Sequence, residues 1–261
     1  MTSESLLVTE RDGDVLTMVL NRPKAMNALN SELMSAIEAW ARSLIDDPAR
    51  VVIIRGAGKH FCAGADLKPS ARPKPALVQA RRDAQLGGRM LRALADIPQV
   101  TIAAVHGAAL GGGLCIPTAC DFRVAAEDAL GGYPEVNLGM NLMWHSVGYC
   151  LRLVGPAKAK RMIMLGERFD AETLKDWGLW DEVVPRADLE RRSLALAKSY
   201  AAQPPIAVQM IKETINQVSG ALDRAILHMD ADQNLLTAGS QDRQRAIAAF
   251  QSGEVVDYRG D

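Results

Sequence analysis

Apolar positions follow two rhythms along the chain. Short, nearly unbroken runs at 15–20 (VLTMVL), 51–55 (VVIIR) and 101–105 (TIAAV) read as buried β-strands. A further β-like run at 6–9 precedes the first of these, with Arg11-Asp12-Gly13-Asp14 as the hairpin turn between them. Asn21-Arg22-Pro23 stops the second strand. Residues 32–45 carry the spacing of an amphipathic helix, with Ser31 as N-cap and Asp46-Asp47-Pro48 as its end. Residues 76–96 read as one long helix, ended by Ile97-Pro98. Residues 120–125 form another strand, and 129–140 an irregular segment. Helical patterns dominate from residue 157. A short helix at 171–177 follows Asp170 as cap, 182–184 is the last strand, and 189–202, 205–218 and 222–250 are helical. Strand-then-helix units with a helical end predict an α/β protein, and the pattern alone suggests a doubly wound sheet. No internal repeat is visible.

The chain has 261 residues, a formal net charge of -1 and 48% hydrophobic residues, enough for one large domain or a domain with an extension. Balanced charge gives no reason to expect a nucleic-acid or membrane partner. Cys62, Cys115, Cys120 and Cys150 lack zinc or redox spacing and read as buried thiols in a reducing, cytoplasmic setting, with no metal. The first residues, MTSESLLVTERDGD, resemble neither a secretory signal nor a transit peptide, and no stretch reaches transmembrane length.

Two glycine-containing turns carry the candidate chemistry. After 101–105 come His106-Gly107, then Gly111, Gly112 and Gly113, and then a helical pattern from Leu114. After 51–55 come Gly56-Ala57-Gly58 and HFCAGADL (60–67). Glycines between a strand and a helix start let backbone approach a ligand and leave N–H groups free for negative charge. Two such turns converging on one oxygen would form an oxyanion hole.

Five segments in order, NRPKAMNAL (21–29), FCAGADL (61–67), AAVHGAALGGG (103–113), CDFRVA (120–125) and PEVNLG (134–139), resemble the crotonase family, the enoyl-CoA hydratase/isomerase superfamily. GPAKAKRMIMLGERFDAETLKDWGLWDEVVP (155–185) fits as well. The resemblance implies a spiral of ββα units over 1–200 and a C-terminal helical extension over 201–261 at the interface of a homotrimer or dimer of trimers. It also implies an acyl-CoA substrate, with coenzyme A as part of that substrate and no separate cofactor. Oxyanion donors would be the N–H groups of Ala65 and Gly112. Coenzyme A would lie along Lys24, Ala25, Ala63, Asp66 and Leu67, and the basic segment 68–75 would bring Lys68, Arg72 and Lys74 toward its phosphates.

Hydratases of this family use two glutamates. Here Cys115 stands at the first position, and Glu135 is present at the second. One carboxylate beside a thioester enolate can still move a proton from the α- to the γ-carbon, so the isomerase branch fits best and hydration is the alternative. After Gly139 the chain departs from the family with MNLMWHSVGYCLRLVG (140–155). His145 there is a candidate extra base for a hydrolase, or a packed histidine, with bulky Trp144 beside it. A non-catalytic CoA-ester binder remains a further alternative. His60 and His106 are expected to hold turns, Asp66 to bond turn amides, and Trp177 and Trp180 to anchor the core or an interface.

Overall fold

The structure is a computed structural model and describes residues 5–67 and 75–261. Its strands are β1 (Leu7–Asp12), β2 (Val15–Leu20), β3 (Val51–Gly56), β4 (Val100–Val105), β5 (Ala108–Leu110), β6 (Phe122–Ala126), β7 (Leu130–Gly132), β8 (Arg168–Asp170) and β9 (Glu182–Val184). The helices that matter below are α1 (Ser31–Ser43), α2 (Leu77–Ala84), α3 (Leu86–Ala95), α4 (Gly112–Ala119), α5 (Ser146–Met164), α6 (Ala171–Asp176), α7 (Leu189–Ala201), α8 (Pro205–Ser219), α9 (Asp223–Ile226), α10 (Asp230–Ala238) and α11 (Gln241–Ser252).

Among the described residues, a six-stranded sheet runs in the order β1-β2-β3-β4-β6-β9, and a three-stranded sheet in the order β5-β7-β8. The β1–β2 hairpin is antiparallel and the rest of the large sheet is parallel. Strand order never reverses, so the sheet is not doubly wound. The chain leaves the large sheet after β4 and after β6 to add β5 and β7 to the small one, which is the spiral implied by the resemblance. Local apolar runs do not distinguish these topologies, because both bury parallel strands on two faces.

Those two faces explain the unbroken apolar runs. Leu16, Met18, Val52, Ile54, Ala103 and Val105 belong to a cluster containing residues of α1, α3 and α4. Val15, Val51, Ile53, Ile102 and Ala104 pack instead with Leu189, Ala197 and Ala201 of α7. Alternating strand residues therefore serve two cores.

Several local expectations shift. Asn30, not Ser31, caps α1: its side chain accepts the Leu33 N–H at 2.9 Å. The expected helix over 76–96 is two helices meeting at Gln85. The helix over 222–250 is divided into α9, a 3-10 turn at Leu227–Met229, α10 and α11, and Ser240 caps the last by accepting the Arg243 N–H. α5 is kinked where Gly155 adopts φ 75 before Pro156. Asp170 caps α6 as expected, accepting from the Thr173 N–H at 2.8 Å. Trp180 is fully buried, and Trp177 packs on Phe169 with ring centroids 4.6 Å apart.

The C-terminal helices return to the core. Arg81 of α2 pairs with Asp232 of α10 at 2.5 Å, and the Tyr258 hydroxyl donates to the Asn137 carbonyl at 2.9 Å. Among the described residues, no helix is long and apolar enough to cross a membrane.

Candidate active site

The small sheet brings three separated motifs to one place. Cys62 N–H donates to the Ala108 carbonyl at 3.0 Å, and Leu110 N–H donates to the Cys62 carbonyl at 3.1 Å. On the other side β5 pairs with β7, and Gly111 N–H donates to the Gly132 carbonyl at 2.8 Å. The turn after Cys62, the glycine run and the segment entering Pro134-Glu135 thus share one hydrogen-bonded frame.

Two of its glycines are sterically required. Gly64 has φ +100, and a Cβ there would lie 2.7 Å from the Leu110 carbonyl oxygen and 3.6 Å from the Gly112 nitrogen. A Cβ on Gly113 would come within 2.1 Å of the Cys62 carbonyl oxygen. Both turns therefore approach backbone to backbone, closer than side chains permit.

This approach leaves two N–H groups available. Leu29 N–H donates to the Gly64 carbonyl and Asp66 N–H to the Leu29 carbonyl, at 2.8 and 3.0 Å. Ala65, between them, donates to no acceptor among the described residues. Gly112 is the first residue of α4, where an N–H has no partner within the helix, and it too donates to none among the described residues. The partial positive charge of a helix N-terminus adds to that donor.

Glu135 meets the same glycine run, at Gly111. It sits in the 3-10 turn Pro134–Leu138, begun by proline and ended by Gly139 in the left-handed region. A Cβ on Gly111 would lie 2.6 Å from its Oε1, so the carboxylate rests on the glycine run. Oε2 is buried with no hydrogen-bond partner among the described residues. Burial pushes the carboxyl pKa up to about 7, opposed only by a bond to its own backbone. No charged group among the described residues contributes to that shift.

Behind Glu135 lies Cys115, fully buried, its thiol donating to the Gly111 carbonyl at 3.3 Å. Burial, reinforced by the nearby Glu135 charge, pushes its pKa well above the ordinary thiol value, so it stays protonated. The buried Tyr133 hydroxyl lies 3.4 Å from that of Thr118. The Cys115 position carries no second carboxylate.

Trp144 and His145 part company. Both have left-handed backbones, φ 67 and 64. The Trp144 ring lies toward the glycine run: a Cβ on Gly112 would sit 2.3 Å from its Cζ3. The His145 ring turns away. Its Nδ1 lies 3.3 Å from an Arg92 guanidinium nitrogen and its Nε2 3.9 Å from Asp230 Oδ1. It lines a separate cavity of about 620 Å³ with Tyr149, Arg152 and Lys212, in which Glu135 has no part. Burial holds its pKa below the ordinary histidine value, against the pull of Asp230.

A frame of two apposed backbone turns, free N–H groups and one buried carboxylate suits enolate chemistry on a carbonyl. The sequence profile described as enoyl-CoA hydratase/isomerase matches residues 10–259. The chain belongs to the enoyl-CoA hydratase/isomerase family. It is 33% identical to a crotonyl-CoA hydratase of Syntrophomonas wolfei, with 94% of each chain covered. It is 34% identical to an enoyl-CoA isomerase/hydratase of Mycosarcoma maydis over 100% of both chains. A crystal structure of an enoyl-CoA hydratase from Mycobacterium avium subsp. paratuberculosis superposes with a TM-score of 0.87 at 25% identity, covering 98% of this chain and 99% of that one.

Within this enoyl-CoA hydratase/isomerase, the other expected contacts form a second cluster. Lys24 and Ala25 lie in the 3-10 turn Pro23–Ala25, and Ala63 N–H donates to the Met26 carbonyl at 3.0 Å, so the segments around 25 and 63 run side by side. Asp66 lies 3.1 Å from an Arg22 guanidinium nitrogen, and Leu67 is exposed. Lys68, Arg72 and Lys74 lie outside the described residues. His60 does hold a turn, its Nδ1 accepting the Ala108 N–H at 3.1 Å. The His106 ring is buried beside it, with Nε2 unpartnered among the described residues.

Asn27 is a positioning residue that sequence reasoning missed. Fully buried, it donates to the carbonyls of Ala57, His60 and Phe61 at 2.9, 2.8 and 3.1 Å, and accepts the Arg22 N–H at 2.9 Å. It clamps the turn after β3 to the turn after β2. Its φ of 56, seen only in the structure, suits asparagine, which is among the few residues that adopt this conformation readily.

Proposed function

We propose that this chain moves a double bond in an acyl-CoA thioester, converting a 3-enoyl-CoA to a 2-enoyl-CoA. The thioester oxygen is held by the N–H groups of Ala65 and Gly112. Glu135 removes a proton from the α-carbon, electrons flow through the carbonyl to give an enolate, and the same carboxyl returns the proton at the γ-carbon. Each oxyanion donor is worth about 2.7–4 kcal/mol in such reactions. The observation carrying this reading is Glu135 itself: a buried carboxylate on the glycine run, with a pKa near neutrality and no charged partner among the described residues influencing it. A carboxyl balanced near neutral pH takes and returns a proton with little penalty either way.

Coenzyme A belongs to the substrate here, and no further cofactor or metal takes part. It runs along Lys24, Ala25, Ala63, Asp66 and Leu67. Four free, buried cysteines fit a cytoplasmic setting. Ile206, Met210, Ile215 and Val218 of α8 are apolar and exposed on more than one face of the helix, which fits an interface with another copy in a trimer or dimer of trimers.

Hydration is the second reading, favoured by relatives named as hydratases. Against it stands the neutral Cys115 in place of a carboxylate. The His145 hydrolase has less support, because that ring faces Arg92 and Asp230 rather than the glycine run.

Deuterium uptake at the α-carbon tests the proposal. The enzyme is incubated in D₂O with saturated and 3-enoyl CoA esters, with Glu135→Gln as control, and products are read by mass spectrometry. Glu135-dependent uptake with a shifted double bond is the expected result. A 3-hydroxyacyl-CoA formed from 2-enoyl-CoA, without isomerisation, moves the assignment to hydration. CoA-ester binding without exchange leaves a binder or a hydrolase.

A further inference from the structure

The indole of Trp144 occupies a slot made for it. Its fused-ring atoms crowd Gly87 of α3: an added Cβ there would meet Cε2 at 2.0 Å and Nε1 at 2.3 Å. Its far edge crowds Gly112, where an added Cβ would meet Cζ3 at 2.3 Å and Cη2 at 2.8 Å, with Leu29 Cδ1 at 3.3 Å. The ring therefore bridges α3 and the first residue of α4. Trp144 is 9% exposed. Glycine inside a helix costs roughly 0.5–1 kcal/mol relative to alanine. Gly87 makes the space that the ring fills.

The backbone that delivers the ring is also unusual. Trp144 and His145 are consecutive non-glycine residues with positive φ, a conformation that costs about 1–2 kcal/mol per residue. Asp230 of α10, itself buried, restrains the pair by accepting the His145 N–H at 2.6 Å. The Asp230 carbonyl also accepts the Asn141 side-chain N–H at 3.3 Å. The C-terminal helices thus determine where an active-site ring stands.

We infer that Trp144 is the residue that sets acyl-group size, closing the acyl side of the pocket so that short acyl groups fit and long ones do not. The inference rests on the acyl-CoA reading above. If Gly112 N–H and Ala65 N–H hold the thioester oxygen and the α-carbon meets Glu135, the remaining acyl carbons must pass Gly112. The indole edge and Leu29 occupy that side. The wall is aromatic and rigid, with only two side-chain torsions to move it.

The test compares Trp144→Gly and Trp144→Phe with the unaltered enzyme. Glycine removes the ring and suits the left-handed backbone; phenylalanine shortens the ring and guards against an unfolded glycine variant. Turnover is measured with short 3-hexenoyl-CoA and long 3-dodecenoyl-CoA. Binding of butyryl-CoA, lauroyl-CoA and free CoA is followed by calorimetry. One methylene in an apolar pocket is worth about 10–200-fold in discrimination. The long-to-short kcat/KM ratio is therefore expected to rise at least about tenfold in Trp144→Gly, and less in Trp144→Phe, with free-CoA binding unchanged. The same gain should appear in lauroyl-CoA affinity, which keeps the inference testable even if the reaction proves not to be isomerisation. An unchanged chain-length profile in a folded Trp144→Gly, or in Trp144→Phe if the glycine variant fails to fold, overturns the inference. Failure of every CoA ester to bind the unaltered enzyme overturns the acyl-CoA reading instead.

Discussion

Oε1 of Glu135 lies against Gly111, so close that a Cβ on that glycine would stand 2.6 Å from it. The carboxylate's position is therefore set by the absence of a side chain. Gly111→Ala should displace the carboxyl from the α-carbon and lower kcat by about 10²-fold or more, the range of one positioned acid/base group. Since Gly111 has φ +52, the alanine variant should also melt at a lower temperature. Kinetics at saturating substrate beside a thermal melt check both; an unchanged kcat removes this contact from the mechanism.

The pH dependence of Glu135 has a definite sign. Its carboxyl titrates near 7 in the folded protein, against an ordinary value of 4.5. Proton abstraction needs the ionised form, so kcat/KM should rise through about pH 7 and then level off. Stability should run the other way: between about 4.5 and 7 the folded state holds a proton that the unfolded chain has lost, so each step up in pH disfavours folding. Denaturant titrations of Glu135→Gln should lack this component of the slope.

His106 gives the opposite stability slope. Burial, helped by the Arg186 charge, pushes its pKa down to about 4 from 6.5. The folded state therefore binds fewer protons than the unfolded chain in that window, and stability should fall as pH drops through it. In His106→Gln this part of the acid sensitivity should disappear, as read from melting temperatures across the range.

Asp230→Asn keeps an acceptor for the His145 N–H, whereas Asp230→Ala leaves that donor buried and unpaired. Asp230→Ala should cost on the order of 1–3 kcal/mol and Asp230→Asn less. Because the contact restrains Trp144, the alanine variant should also lose short-chain turnover. Chemical denaturation together with steady-state kinetics separates this from a stability loss alone.

None of the residues of α8 is buried within one chain, although Ile206, Met210, Ile215 and Val218 are apolar. If another copy covers these exposed side chains, Ile215→Asp should break the assembly into smaller species in light-scattering chromatography, while the parent chain stays assembled. A parent chain that is already monomeric defeats this prediction.

Much of the fold and site was legible because it depends on local constraint. A parallel strand buried on both faces must be a continuous apolar run, and VVIIR and TIAAV occupy β3 and β4 for that reason. Glycines 64 and 113 stand where backbones touch, so the two turns were visible as a pair before their meeting point was known. Asp170 and the short helix after it were legible for the same reason: a cap acts three residues away. The Asn30 cap was equally local; Ser31 beside it simply offered a competing oxygen.

What only the tertiary structure decided is everything that depends on distant partners. The strand order is one-directional because chain excursions build a second sheet, which no window of sequence reports. Trp144 and His145 are neighbours, yet one ring packs against the glycine run and the other turns toward Arg92. That division is set by Gly87 in α3 and by Asp230, which lies 85 residues further along the chain. Side-chain direction at a strained turn is determined by packing space and by which buried N–H finds an acceptor, and those exist only once the chain has closed on itself.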